Sequence, residues 1–123
     1  MKKHPYIMVV DDDQKMLRML KRTLEANGYG IATATDGSSA LAILEERRPD
    51  LVILDIMMPE FNGLQVLNVV RQHSNVPVIK LTARCKVPPF RKTLVTGAND
   101  YMIMPFQTRE LVTRVKAKLR CAG

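Results

Sequence analysis

Residues 6–13, YIMVVDDD, and residues 51–55, LVILD, decide the fold. In each, an unbroken apolar run of strand length ends in aspartate. A strand with one wet face alternates apolar and polar residues. An unbroken run is a strand covered on both faces, as strands of parallel sheets are. Between the two runs the period changes. Met16, Leu17, Leu20 and Leu24 recur at helical spacing, with Lys15, Arg18, Lys21, Arg22 and Glu25 between them. That pattern predicts an amphipathic helix, with Asp13 as its N-cap and Asn27-Gly28 at its end. The β-branched stretch from Ile31 to Thr35 predicts a second strand. Asp36-Gly37-Ser38 is a turn with a cap, and Ala40, Leu41, Ile43 and Leu44 mark a second helix stopped by Pro49.

The same alternation continues. Leu64, Val66, Leu67 and Val70 predict a third helix opened by Asn62-Gly63, and Val76 to Leu81 a fourth strand. A fourth helix is expected between Pro89 and Thr96, delayed by Pro88 and Pro89 and built of weak helix formers. Tyr101 to Met104 is the fifth strand, and Glu110 to Leu119 the fifth helix, with Leu111, Val112, Val115 and Leu119 on one face. Five buried strands alternating with five helices, joined by right-handed crossovers, give a three-layer, doubly wound α/β domain with a parallel sheet.

With 123 residues, the chain is read as one domain over residues 1–123. An apolar fraction of 46 % and a charged fraction of 25 % describe a soluble globular protein. No apolar stretch reaches the ~18–20 residues of a membrane helix, and the N-terminus lacks a signal-peptide pattern. Membrane insertion is therefore not expected. Cys85 and Cys121 have no metal-site spacing and read as reduced thiols of a cytoplasmic protein. The formal net charge of +7 is uneven. Residues 1–83 are balanced, and the whole excess lies in residues 84–123. A basic surface attracts an acidic protein, nucleic acid or an anionic membrane.

In open α/β sheets, function collects at the carboxyl ends of the strands. The first strand ends in Asp11-Asp12-Asp13, the third in Asp55, the fourth in Thr82-Ala83 and the fifth in Met104-Pro105. If the first and third strands are neighbours, Asp11, Asp12 and Asp55 meet. Carboxylates so placed repel one another unless protonated or bridged by a cation, and oxygen donors suit Mg²⁺. Taken singly, Asp13 is a cap, Asp11 a turn residue and Asp55 a loop residue. There is no GxxxxGK[ST] loop, no dinucleotide fingerprint and no nucleophile elbow. His4 and His73 stand alone.

VVDDD at 9–13, LVILDIMMPEFNGLQVL at 51–67, VIKLTAR at 78–84 and GANDYMIMPF at 97–106 resemble the receiver domain of bacterial two-component response regulators. The resemblance runs from Tyr6 to about Arg120. It implies the flavodoxin-like strand order 2-1-3-4-5. It implies that Asp55 accepts a phosphoryl group from a histidine kinase or a histidine phosphotransfer domain, with Mg²⁺ as cofactor. The metal would be held by Asp11, Asp12, Asp55 and the backbone carbonyl of Met57. Thr82 and Tyr101 would be the switch residues. Signalling would run through the surface made by the fourth helix, fifth strand and fifth helix, to a downstream effector protein or domain or to a second copy. Such a domain phosphorylates and dephosphorylates itself and is not an enzyme in the usual sense. A chain ending soon after the fifth helix is expected to be a stand-alone receiver or part of a larger regulator.

Two departures qualify that expectation. The family has lysine before the final Pro-Phe, and this sequence has Met104, which can neither salt-bridge the acceptor nor bind phosphoryl oxygens. Lys80, in the fourth strand where the family usually has an apolar residue, is a candidate substitute; snorkelling to solvent is its plainer reading. The segment Arg84-Cys85-Lys86-Val87-Pro88-Pro89-Phe90-Arg91-Lys92 is basic where receivers are commonly acidic. Met104-Pro105 matches a bond usually cis in the family. Phe90 stands without other aromatics, so no direct nucleic-acid binding is expected. Met104 also motivates an alternative, a phosphorylation-independent interaction module. An aspartyl-intermediate hydrolase is disfavoured, because no second catalytic acid follows Asp55 at short spacing.

Overall fold

The two deciding runs are strands and lie side by side. In the computed structural model, which describes residues 4–55, 63–83, 100–104 and 106–122, β1 (Tyr6–Val10) pairs in parallel with β3 (Leu51–Asp55), Ile7 opposite Leu51 and Val10 opposite Leu54. β2 (Gly30–Ala34) flanks β1 on the other side. β4 (Val78–Ala83) joins β3, and β5 (Asp100–Met104) joins β4. The sheet is parallel with order β2-β1-β3-β4-β5, as the resemblance implied.

The helices cover both faces. α1 (Gln14–Glu25) and the C-terminal helix (Thr108–Ala122) pack on one face, where Leu17, Leu20, Leu24, Leu111 and Val115 meet Ile7, Val9, Ile53, Ile79 and Leu81. On the other, α2 (Gly37–Glu46) and α3 (Gly63–His73) bring Ala40, Val66, Leu67 and Val70 against Met8, Val10, Val52, Leu54 and Val78. The odd and even positions of each strand thus feed different cores, which is why the strands read as continuous apolar runs.

Local chemistry sets the ends of the elements. The Asp13 carboxylate caps α1, accepting from the backbone N–H of Lys15 at 2.9 Å and of Met16 at 3.4 Å. α1 closes through Gly28, whose φ of 92° is a left-handed conformation that glycine adopts without strain. Asp36 caps α2, accepting from Ser39 N–H at 2.7 Å. Asp50 accepts the Tyr6 N–H at 2.8 Å and so ties the start of β1 to the chain ahead of β3.

Several boundaries differ from the sequence reading. β2 is Gly30–Ala34 rather than Ile31–Thr35, because Gly30 pairs with Tyr6 and donates its N–H to Pro5 O at 2.9 Å. β4 starts at Val78 rather than Val76 and runs on to Ala83, because β5 extends the ladder with Thr82 opposite Ile103 and Ala83 opposite Met104. The C-terminal helix is longer than Glu110–Leu119 at both ends. The fourth helix expected between Pro89 and Thr96, and Asn62 at the opening of α3, lie outside the described residues.

Candidate functional site

β1 and β3 end at the same level, since Val10 is opposite Leu54. The chain leaving β1 is still held to β2, because Asp11 N–H donates to Ala34 O at 3.0 Å. It then turns into α1, and the turn separates three consecutive aspartates. Asp13 faces the helix it caps. Its backbone N–H donates to Asp11 Oδ1 at 2.9 Å, which fixes the Asp11 carboxyl. Asp12 is exposed, whereas Asp11 and Asp55 are 1 % and 6 % exposed. One carboxylate oxygen from each of Asp11, Asp12 and Asp55 lies within 4.8 Å of the others.

Burial dominates the electrostatics. Desolvation pushes the Asp11 carboxyl from 3.8 up to about 7, the Asp13 N–H pulls it back, and the Asp55 and Asp12 charges add to the rise. The adjacent Asp55 side chain also favours the protonated form of Asp11. Two buried carboxyls and an exposed third, all oxygen donors, fit a hard divalent cation that keeps some of its waters. The residues present thus suit Mg²⁺, with Asp11, Asp12 and Asp55 as the holders.

The other expected residues stand as follows. Thr82 lies in β4 opposite Ile103, and Tyr101 in β5 opposite Lys80; both side chains lie outside the described residues, as do Met57, Pro105 and the segment 84–92. Met104 ends β5 and packs with Met102 and Phe106 in the core under α1 and the C-terminal helix. Ile53 belongs to that same core, so Asp55, two residues on, leaves the sheet on that side. Lys80 differs. It is 1 % exposed in a central strand and does not snorkel to solvent. Its neighbours Ile79 and Leu81 lie in the α1 core and Val78 in the α3 core, so Lys80 leaves the sheet on the face opposite Asp55. That placement lends the substitute role no support.

Residues 7–116 match the family model of the response regulator receiver domain. The chain belongs to this family. Among curated relatives, the receiver is 46 % identical over 114 residues to the DNA-binding response regulator MtrA of Mycolicibacterium smegmatis, covering 93 % of this chain and 50 % of that protein. It is 46 % identical over 120 residues to the transcriptional regulatory protein PrrA of Mycobacterium tuberculosis, covering 97 % of this chain and 52 % of that one. The chain thus spans about half the length of the curated relatives it matches. Among solved structures, a putative response regulator from Chloroflexus aurantiacus superposes with a TM-score of 0.88 at 35 % identity, covering 96 % of this chain and 99 % of that one. The receiver domain of the Francisella response regulator 1452 gives 0.89 at 33 % identity, covering 98 % of this chain and all of that one.

The receiver is a signalling domain of two-component systems, and these matches lend no support to a phosphorylation-independent module. The expectation of no nucleic-acid contact also finds no support, since relatives are DNA-binding regulators by name. No helix among the described residues is long and apolar enough to cross a membrane.

Proposed function

We propose that this receiver takes a phosphoryl group onto Asp55 from the phosphohistidine of a histidine kinase or phosphotransfer domain. The observation that carries the reading is the set of three carboxylates within 4.8 Å at the joined ends of β1 and β3. An Asp55 oxygen attacks phosphorus in line. The O–P bond forms as the P–N bond breaks, and the departing imidazole takes up a proton. Mg²⁺ held by Asp11, Asp12, Asp55 and the Met57 carbonyl would supply neutralising charge for the phosphoryl oxygens. Asp13 N–H keeps Asp11 turned toward Asp55. Burial of Asp11 and Asp55 limits competing water. Thr82 would then turn to the new phosphoryl oxygens and Tyr101 follow, biasing the surface around β5 toward a cytoplasmic effector or a second copy. The group is later hydrolysed, so the domain acts on itself. In a longer regulator of the kind its relatives represent, DNA binding would be the output.

The test is intact mass after incubation with acetyl phosphate, with and without Mg²⁺, beside Asp55→Ala. A Mg²⁺-dependent phosphoryl adduct, lost in Asp55→Ala, is expected; a folded sample that forms none overturns the reading. Met104→Lys introduces a cation on the Asp55 side of the sheet. It is expected to speed adduct formation by at least about tenfold, because a cation beside the developing charge lowers the barrier.

A further inference from the structure

Residues 1–83 are electrically balanced in sequence, and that balance conceals a segregation in space. α1 carries Lys15, Arg18, Lys21 and Arg22 against Glu25. The C-terminal helix carries Arg109, Arg114, Lys116, Lys118 and Arg120 against Glu110. The fold sets both helices in one layer: α1 lies over β1 and β2, the C-terminal helix over β3, and their apolar sides share one core. This layer holds nine cations and two anions, an excess as large as the +7 of the entire chain. Asp12 and Asp13 sit at the N-terminal end of α1, ahead of the basic row, while Asp36, Glu45 and Glu46 lie around α2 in the other layer.

The outward sides are ordered. Lys15, Arg18 and Arg22 recur at i, i+3 and i+7, and Arg109, Thr113, Lys116 and Arg120 at i, i+4, i+7 and i+11; all seven are exposed. Each set is a row along its helix, about 10 Å long on α1 and about 17 Å on the C-terminal helix at 1.5 Å per residue. Neighbouring helices in a layer run about 10 Å apart. α1 covers β1 and β2 and the C-terminal helix covers β3, and β1 and β3 are neighbours, so the two helices stand side by side.

We propose that the outer faces of α1 and the C-terminal helix form one surface that binds the phosphate backbone of double-stranded nucleic acid, without reading its sequence. Two basic rows on neighbouring helices of one layer suit the two phosphate rows that border a groove about 12 Å wide. The composition also selects this partner over an acidic protein. A protein interface centres on apolar and aromatic anchors, whereas backbone contacts need only cations and short polar groups. Among the described residues, the sole large exposed hydrophobic is Ile103, on β5 and not in this layer. The proposal is independent of phosphoryl transfer and is tested without it.

The experiment measures binding of a fluorescent 20-base-pair duplex of arbitrary sequence to the chain across a salt series. With about four phosphate contacts, affinity should fall about a hundredfold between about 50 and 200 mM salt. A duplex of unrelated sequence should bind equally. Arg18→Ala with Lys116→Ala should reduce the steepness of the logarithmic salt dependence by about two. The corresponding Gln pair should do the same, which guards against a folding defect in either. Arg47→Ala with Arg48→Ala changes net charge equally on the opposite face and should leave that dependence intact. Absence of binding at about 50 mM salt, or equal loss in the Arg47/Arg48 pair, overturns the proposal. So does binding to polyglutamate without binding to the duplex, which would assign the face to an acidic protein.

Discussion

Asp11 is a carboxylate held where the charged form is disfavoured. Its pKa of about 7 lies above the ordinary 3.8, so folding favours the protonated acid. A raised carboxyl withdraws stability as pH climbs from about 4 to about 7 and leaves the full penalty above that. Asp11→Asn keeps the Oδ1 acceptor for Asp13 N–H and removes the charge. Without divalent metal, the variant is expected to be more stable than the parent by on the order of 1–3 kcal/mol at pH 8, the gain vanishing near pH 4. Urea melts at the two pH values check it; equal gains at both would refute it. Mg²⁺ is expected to protect the parent more at pH 8 than at pH 6, because the Asp11 proton must leave before the cation binds. Of this site, the acidic pair and Asp55 were legible in the sequence, because each ends an apolar run. Which aspartate is buried was not legible. Asp13 already read as the cap of α1, which the structure bears out, but the text does not say whether Asp11 or Asp12 is buried; the turn into α1 sends Asp11 inward and leaves Asp12 exposed.

At the scale of elements, punctuation carries much of the specification. Asp13, Asp36 and Gly28 are each placed where a helix must start or stop. At Gly28, a Cβ would meet nothing within 4 Å, so the cost of a side chain there is purely conformational. Gly28→Ala is expected to lose about 1 kcal/mol in chemical denaturation, with the phosphoryl-acceptance rate unchanged, since the turn lies at the far end of α1 from Asp11. A loss near 3 kcal/mol would mean that the turn does more than reverse the chain. Strand ends were less legible than helix caps. β4 is extended by its pairing with β5, a partner that is distant in sequence, and local propensity contains no trace of that ladder. Lys80 shows the same limit. In a single strand it reads as a lysine that must escape to water, but alternation in the assembled sheet buries it on the α3 side.

At the scale of the whole molecule, the two faces of the sheet differ electrically. The layer of α1 and the C-terminal helix gathers like charge, which costs stability by self-repulsion and is screened by salt. Raising NaCl from about 50 to about 500 mM is expected to lift the melting temperature by about 2–4 °C, and Lys116→Ala with Arg120→Ala should shrink that rise. A salt-insensitive melting temperature would show that the rows are too well solvated to repel. The sequence by itself determined the types of the described elements, the two-sided burial of the central strands, the family and the identity of the acidic residues. These follow from periodicity and from runs, which are local properties of the chain. Only the tertiary structure decided that three carboxylates share one point, that Met104 and Lys80 lie on opposite sides of the sheet, and that two basic helices far apart in the chain become one surface. Those facts depend on which strands are neighbours, and strand neighbours are chosen by the joint burial of both faces, which no single segment encodes.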